Sequence, residues 1–205
     1  SVKIKDSLLL TYETDYPAYF ALKYSSDALS VKELPQIAGN NVNYLNYIVS
    51  DSILYIILVN RKHKYVHKVT IDSSFADQMK EFRNLLSDTD MSVNARKKYE
   101  SFSSIGYDLY SVLISPVRKY FISDELLISP DNILSYLPFE TFLSSPVSGE
   151  EILYRTLPYL MNDFSISYTY SASFMKETSG RKYGNSRRLV AFAPLYTRPV
   201  HIDSL

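Results

Sequence analysis

The sequence predicts an α/β fold: a mixed sheet with flanking helices, preceded by an antiparallel meander. Three observations carry this reading. The run ILYIILV at 53–59 is apolar on both strand faces, with Ile53, Tyr55, Ile57 and Val59 on one and Leu54, Ile56 and Leu58 on the other. Such a strand belongs inside a sheet that is covered from both sides. Two stretches with helical apolar periodicity follow it. Beyond them, residues 125–143, ELLISPDNILSYLPFETFL, pack apolar runs, turn residues and a helix start into a short span.

In chain order, residues 1–17 read as a linker or the remainder of an upstream region, and Tyr19–Tyr24 as a strand. Ser30-Val-Lys-Glu33 has the form of a capping box, but Pro35 lies so close behind it that only a short turn is predicted. Strands are predicted over 44–49, 53–59 and 65–71, separated by Ser50-Asp51-Ser52 and by the polar residues 60–64. Ser74 is placed to cap a helix ending near Ser87, with Phe75, Met79, Phe82, Leu85 and Leu86 as its stripe. A second helix is predicted over 93–113, with Phe102, Ile105, Leu109, Val112 and Leu113 inward; Gly106 weakens it and Pro116 ends or kinks it.

In the unit at 125–143, Leu126, Leu127 and Ile128 form a strand and Pro130-Asp131-Asn132 a turn. Ile133 and Leu134 are predicted to return as a second strand. Pro138 then opens a helix with Phe139, Phe142 and Leu143 on one face. Residues 164–168 read as a strand with a helix beginning through Ser171-Ala-Ser173, and 189–192 as a final strand stopped at Pro194.

Composition narrows the function classes. A chain of 205 residues with 46% hydrophobic content supports one sizeable core. Lys and Arg number 22, as do Asp and Glu, so no overall field draws nucleic acid or an anionic membrane. Nineteen tyrosines and ten phenylalanines read chiefly as core and core edge. The chain has no cysteine, which excludes disulfides, thiolate metal sites and a cysteine nucleophile within it, and fits a cytoplasmic location. No apolar run approaches the ~20 residues of a membrane helix, so a soluble chain is expected.

Taken together, LLISPDNILSYLPFETF at 126–142 and YLMNDFSISYTYSAS at 159–173 resemble the CHAT domain, a caspase-like family associated with tetratricopeptide repeats in bacterial proteins. The likeness extends to YFALKY near Tyr19, ILYIILV at Ile53, DLYSVLISPVRKY at Asp108 and RRLVAFAPLY at Arg187. The resemblance implies a caspase-like fold in which a His and then a Cys follow successive core strands. It implies further that residues 18–205 are the amino-terminal, pseudo-protease-like part of such a domain, ending before that dyad, so that no catalytic residue carries over to this chain. The preferred expectation is a structural or regulatory portion of a cysteine endopeptidase, with upstream repeats or other proteins as partners and no cofactor. Self-association through the 189–192 strand is expected if that strand lacks a neighbour.

Rival chemistries are weaker. His201-Ile-Asp203-Ser204 contains the residue types of a hydrolase triad, but sequence neighbours cannot easily place a His between two preorganised partners. His63 and His67 share a strand face without a third ligand beside them. Gly180–Gly184 lacks the spacing of a phosphate loop. Asp131, Glu140 and Asp163 could be imagined as an acid/base set, but local turns explain Asp131 and Asp163. The strongest binding signal is the run RKHKYVHK at 61–68, from which Arg61, Lys62, Lys64, Tyr65 and Lys68 are the candidate partner-binding residues. They read first as a solvated hairpin tip whose lysines blunt an exposed edge; the binding alternative is an interaction module for protein or, less favoured, for nucleic acid through phosphate contacts and stacking on Tyr65. Arg181, Lys182, Arg187 and Arg188 form a second basic group.

Overall fold

The computed structural model describes residues 14–15, 29–88, 93–149 and 151–179. The predicted strands at 19–24 and 189–192, the second basic group and His201 lie outside the described residues. Within them, α1 (Leu34–Ala38) leads into the meander β1 (Val42–Ser50), β2 (Ile53–Val59) and β3 (Lys64–Thr70). The helices α2 (Ser73–Ser87), α3 (Ala95–Leu113) and the short α4 (Ser115–Arg118) follow. Then come β4 (Glu125–Ser129), the single-turn helix α5 (Leu160–Asp163), β5 (Ser165–Tyr168) and α6 (Ala172–Ser179).

The five strands form one mixed sheet in the order β3-β2-β1-β4-β5. The meander pairs antiparallel, while β1–β4 and β4–β5 are parallel. Leu54, Ile56 and Leu58 of β2 are fully buried with Leu45, Tyr47, Leu126 and Ile128, against Phe75, Met79 and Phe82 of α2 and Ile105, Leu109 and Leu113 of α3. The opposite face is covered at one end, where Leu34 of α1 packs with Tyr44 and Val59, and Leu127, Ala172 and Met175 join them. Farther along that face Ile48 and Val66 stay exposed. The mixed sheet and flanking helices agree with the fold class predicted, and β2 is an interior strand as its two apolar faces require.

Five local expectations are corrected. Pro35 does not stop a helix: the capping box forms, with Ser30 N donating to Glu33 Oε2 (3.1 Å) and Glu33 N to Ser30 Oγ (3.3 Å). The helix itself begins after it at Leu34. Pro35 thus falls in a first turn, where its missing N–H costs nothing. The cap of α2 is Asp72, whose Oδ1 accepts from Phe75 N (3.2 Å) and from Ser74 Oγ (2.6 Å); Leu86 of its predicted stripe is exposed.

Ile133 and Leu134 lie in a 3₁₀ turn, Asn132–Tyr136, rather than a strand. Asn132 takes φ 51°, which Asn tolerates, and this turns the chain so that Leu134 is buried. Pro138 opens only the 3₁₀ turn Phe139–Thr141, after which Phe142 is extended and Leu143 bridges Tyr159. The predicted apolar residues are nonetheless buried. Phe139 lies 5.3 Å from Tyr47 and 4.8 Å from Phe142, and Phe142 lies 5.8 Å from Phe82 (ring centroids), so the segment joins sheet to helix. Tertiary packing, not helical hydrogen bonding, satisfies this spacing.

Candidate functional site

The carboxyl ends of β4 and β5 open on a cavity of about 400 Å³ lined by Pro130, Ser135, Tyr168, Thr169, Tyr170 and Phe174. Its walls are tied together by hydrogen bonds. The Tyr168 hydroxyl donates to Glu140 Oε2 (2.6 Å) and accepts from Phe139 N (2.9 Å), while Ser129 Oγ donates to Tyr170 O (3.2 Å). Burial, reinforced by the Glu140 carboxylate, pushes the Tyr168 phenol well above its usual range. Glu140 is thus engaged in holding the 3₁₀ turn to the end of β5. Asp131 accepts from Val49 N (2.9 Å) through Oδ2, tying the segment after β4 to the end of β1. Asp163 lies at the other end of the sheet, facing Arg118 at 3.5 Å. The structure therefore separates the three carboxylates, and no acid/base set is assembled from them.

The amino ends of β1 and β4 hold a buried polar network that reaches the β2–β3 hairpin. Asn43 and Asn60 are essentially inaccessible. Asn43 Nδ2 donates to Ser123 O (3.0 Å) and Glu125 O (3.1 Å), and its Oδ1 accepts from Ile122 N (3.0 Å) and Asn60 Nδ2 (3.0 Å). Asn60 Nδ2 also donates to Tyr120 O (2.9 Å), and Asn60 Oδ1 accepts from Lys62 N (3.0 Å) and His63 N (2.7 Å). Two buried amides thus lock the hairpin tip to the sheet.

The five candidate residues divide about that hairpin. Arg61, Lys62, Lys64 and Lys68 are exposed. Lys64 and Lys68 share the β3 face opposite to Tyr65. Tyr65 is half-buried, with its ring 4.4 Å from Tyr120 and 6.4 Å from His67. Tyr120 and Lys119, whose Nζ lies 5.0 Å from the Tyr120 ring, join this end from outside the 61–68 run. Arg118-Lys-Tyr120 is itself a short basic–aromatic run, and that signal was legible. His63 packs 5.5 Å from Tyr120. Among the described residues no group of three His, Cys, Asp or Glu is placed to hold a metal, and no helix is long and apolar enough to cross a membrane.

No curated protein matches this chain. Residues 104–201, a span that takes in most of α3 together with β4, β5 and α6, match the family model of the CHAT domain, the caspase-like, peptidase-associated family that the chain's own motifs resemble.

Proposed function

We propose that this chain is the non-catalytic, structural and regulatory portion of a CHAT-type, caspase-like cysteine endopeptidase, whose His/Cys dyad lies in sequence beyond it. The observation that supports this best is the position of β5. In a sheet ordered β3-β2-β1-β4-β5, β4 has both neighbours, so a further strand running parallel to it joins most simply at the outer side of β5. Chemistry of this class sits at the carboxyl ends of parallel strands, and β4 and β5 bring theirs to one cleft. With no cysteine in 205 residues, the nucleophilic thiol has to come from elsewhere.

The gene's full product and the 205-residue chain are compared on casein and on a fluorogenic peptide library, with and without iodoacetamide. The short chain is expected to be inert and the full product to cleave in a thiol-dependent way. Cleavage by the short chain alone, or a downstream sequence without a His and then a Cys after successive apolar strands, overturns it.

A further inference from the structure

We infer that the β2–β3 hairpin end, where Arg61, Lys62 and Lys64 lie at the tip that Asn60 ties to the Lys119–Tyr120 corner, is a docking surface for an acidic protein segment. The inference is independent of the peptidase reading. None of these four cations has a carboxylate within 4.0 Å among the described residues, a property they share with Lys32, Lys68, Arg83, Lys97, Arg155 and Lys176; what sets the four apart is that they gather at one end of the sheet. Blunting of an exposed edge strand by lysine accounts for Lys64. It does not account for Arg61 and Lys62 in the turn, or for Lys119 after α4, which belong to no strand.

The surface is also fixed in shape. Asn60 Oδ1 holds the Lys62 and His63 amides, and Asn60 Nδ2 holds the Tyr120 carbonyl, so one buried side chain sets the hairpin tip and the Lys119–Tyr120 corner relative to each other. The charge has a direction as well. Exposed Asp124 and Glu125, with the Arg118–Asp163 pair, lie toward β4 and β5, and Glu33 precedes α1, so the hairpin tip and the Lys119 corner are where the cations of this end gather. This end is opposite to the carboxyl-end cleft, and occupying one leaves the other open.

The same geometry favours protein over nucleic acid. Binding of single strands needs rings on which bases stack, and here Tyr65, His63 and Tyr120 are packed on one another. Alternate residues of an extended peptide project to one side about 6.6 Å apart. Carboxylates carried at that repeat pair with cations without any stacking.

The test uses the whole chain and a fluorescein-labelled peptide, (Glu-Ala)6, followed by anisotropy at 50 and 300 mM NaCl, with labelled dT6 as the second probe. Saturable peptide binding is expected, at least fivefold tighter than dT6. It should weaken at least tenfold in Arg61→Glu/Lys64→Glu, and less than twofold in Lys97→Glu/Arg155→Glu, which changes net charge equally at exposed sites elsewhere. Should the first variant melt early, Arg61→Gln/Lys64→Gln replaces it, with at least a threefold loss expected. Equal losses in hairpin and control variants, tighter binding of dT6, or no saturable peptide binding would each overturn the inference.

Discussion

Asn43 shows how one side chain can hold several segments together. Its amide bonds to Ser123, Glu125, Ile122 and Asn60 in the absence of solvent, so Asn43→Ala leaves the Ile122 amide and other buried groups without partners. We expect a loss of about 3 kcal/mol in urea unfolding, since each orphaned buried group costs roughly 1–3 kcal/mol. The tyrosines behave differently. Burial raises the phenols of Tyr44, Tyr47 and Tyr168 above their ordinary value, so the native state keeps protons that the unfolded chain releases. Stability is therefore fully present below about pH 10 and falls as the pH rises past it. Absorbance at 295 nm should show these phenols ionising together with the loss of helical circular dichroism; smooth titration of every tyrosine with the fold intact would contradict this.

At the scale of elements, Gly106 has a packing reason that the helical pattern alone does not reveal. A Cβ there would meet Leu143 Cγ and Phe82 Cε2 at 3.3 Å each, both on fully buried side chains, and the Gly106 carbonyl accepts from Leu143 N (3.2 Å). Alanine's helix propensity favours Gly106→Ala by about 1 kcal/mol, whereas overpacking costs typically 1–3 kcal/mol. We expect a net destabilisation of about 1 kcal/mol by thermal or urea unfolding. The strands of the meander, β4 and β5 were legible because their apolar runs suit a pleated, covered surface. Ile133–Leu134 was not, because two apolar residues serve a 3₁₀ turn as well as a strand, and the decision rests on the backbone of Asn132. Likewise Phe139, Phe142 and Leu143 were legible as core but not as to conformation: spacings of three and four fit a helix, and also fit a turn followed by extended chain packed on Phe82. The basic run at 61–68 was visible because it is contiguous, while its meeting with Lys119 and Tyr120 depends on the Asn60 contact.

At the scale of the whole molecule, the sheet is anchored at its middle. The interior strands β2, β1 and β4 are hydrogen-bonded on both sides, and their residues Leu54, Ile56, Leu58, Leu45, Leu126 and Ile128 are essentially inaccessible. Strand β3, by contrast, alternates between exposed and half-buried positions, and β5 is mostly exposed. Native-state hydrogen exchange should therefore be slowest in the three interior strands and faster in β3 and β5, because opening free energy follows buried contacts and paired backbone. Comparable protection in β5 and β1 would show that another segment covers β5.

The parallel pairing of β1 with β4 also has a consequence for the chain as it is made. Strand β1 acquires β2 almost at once, but its other edge waits for a strand whose contacts lie some 80 residues later. At about 5–20 residues per second, that wait lasts roughly 4 to 16 s on the ribosome. During it the half-built sheet presents Tyr44, Leu45 and Tyr47 beside a bare backbone edge, a state in which nascent chains on neighbouring ribosomes can pair with each other and in which a chaperone has the most to protect.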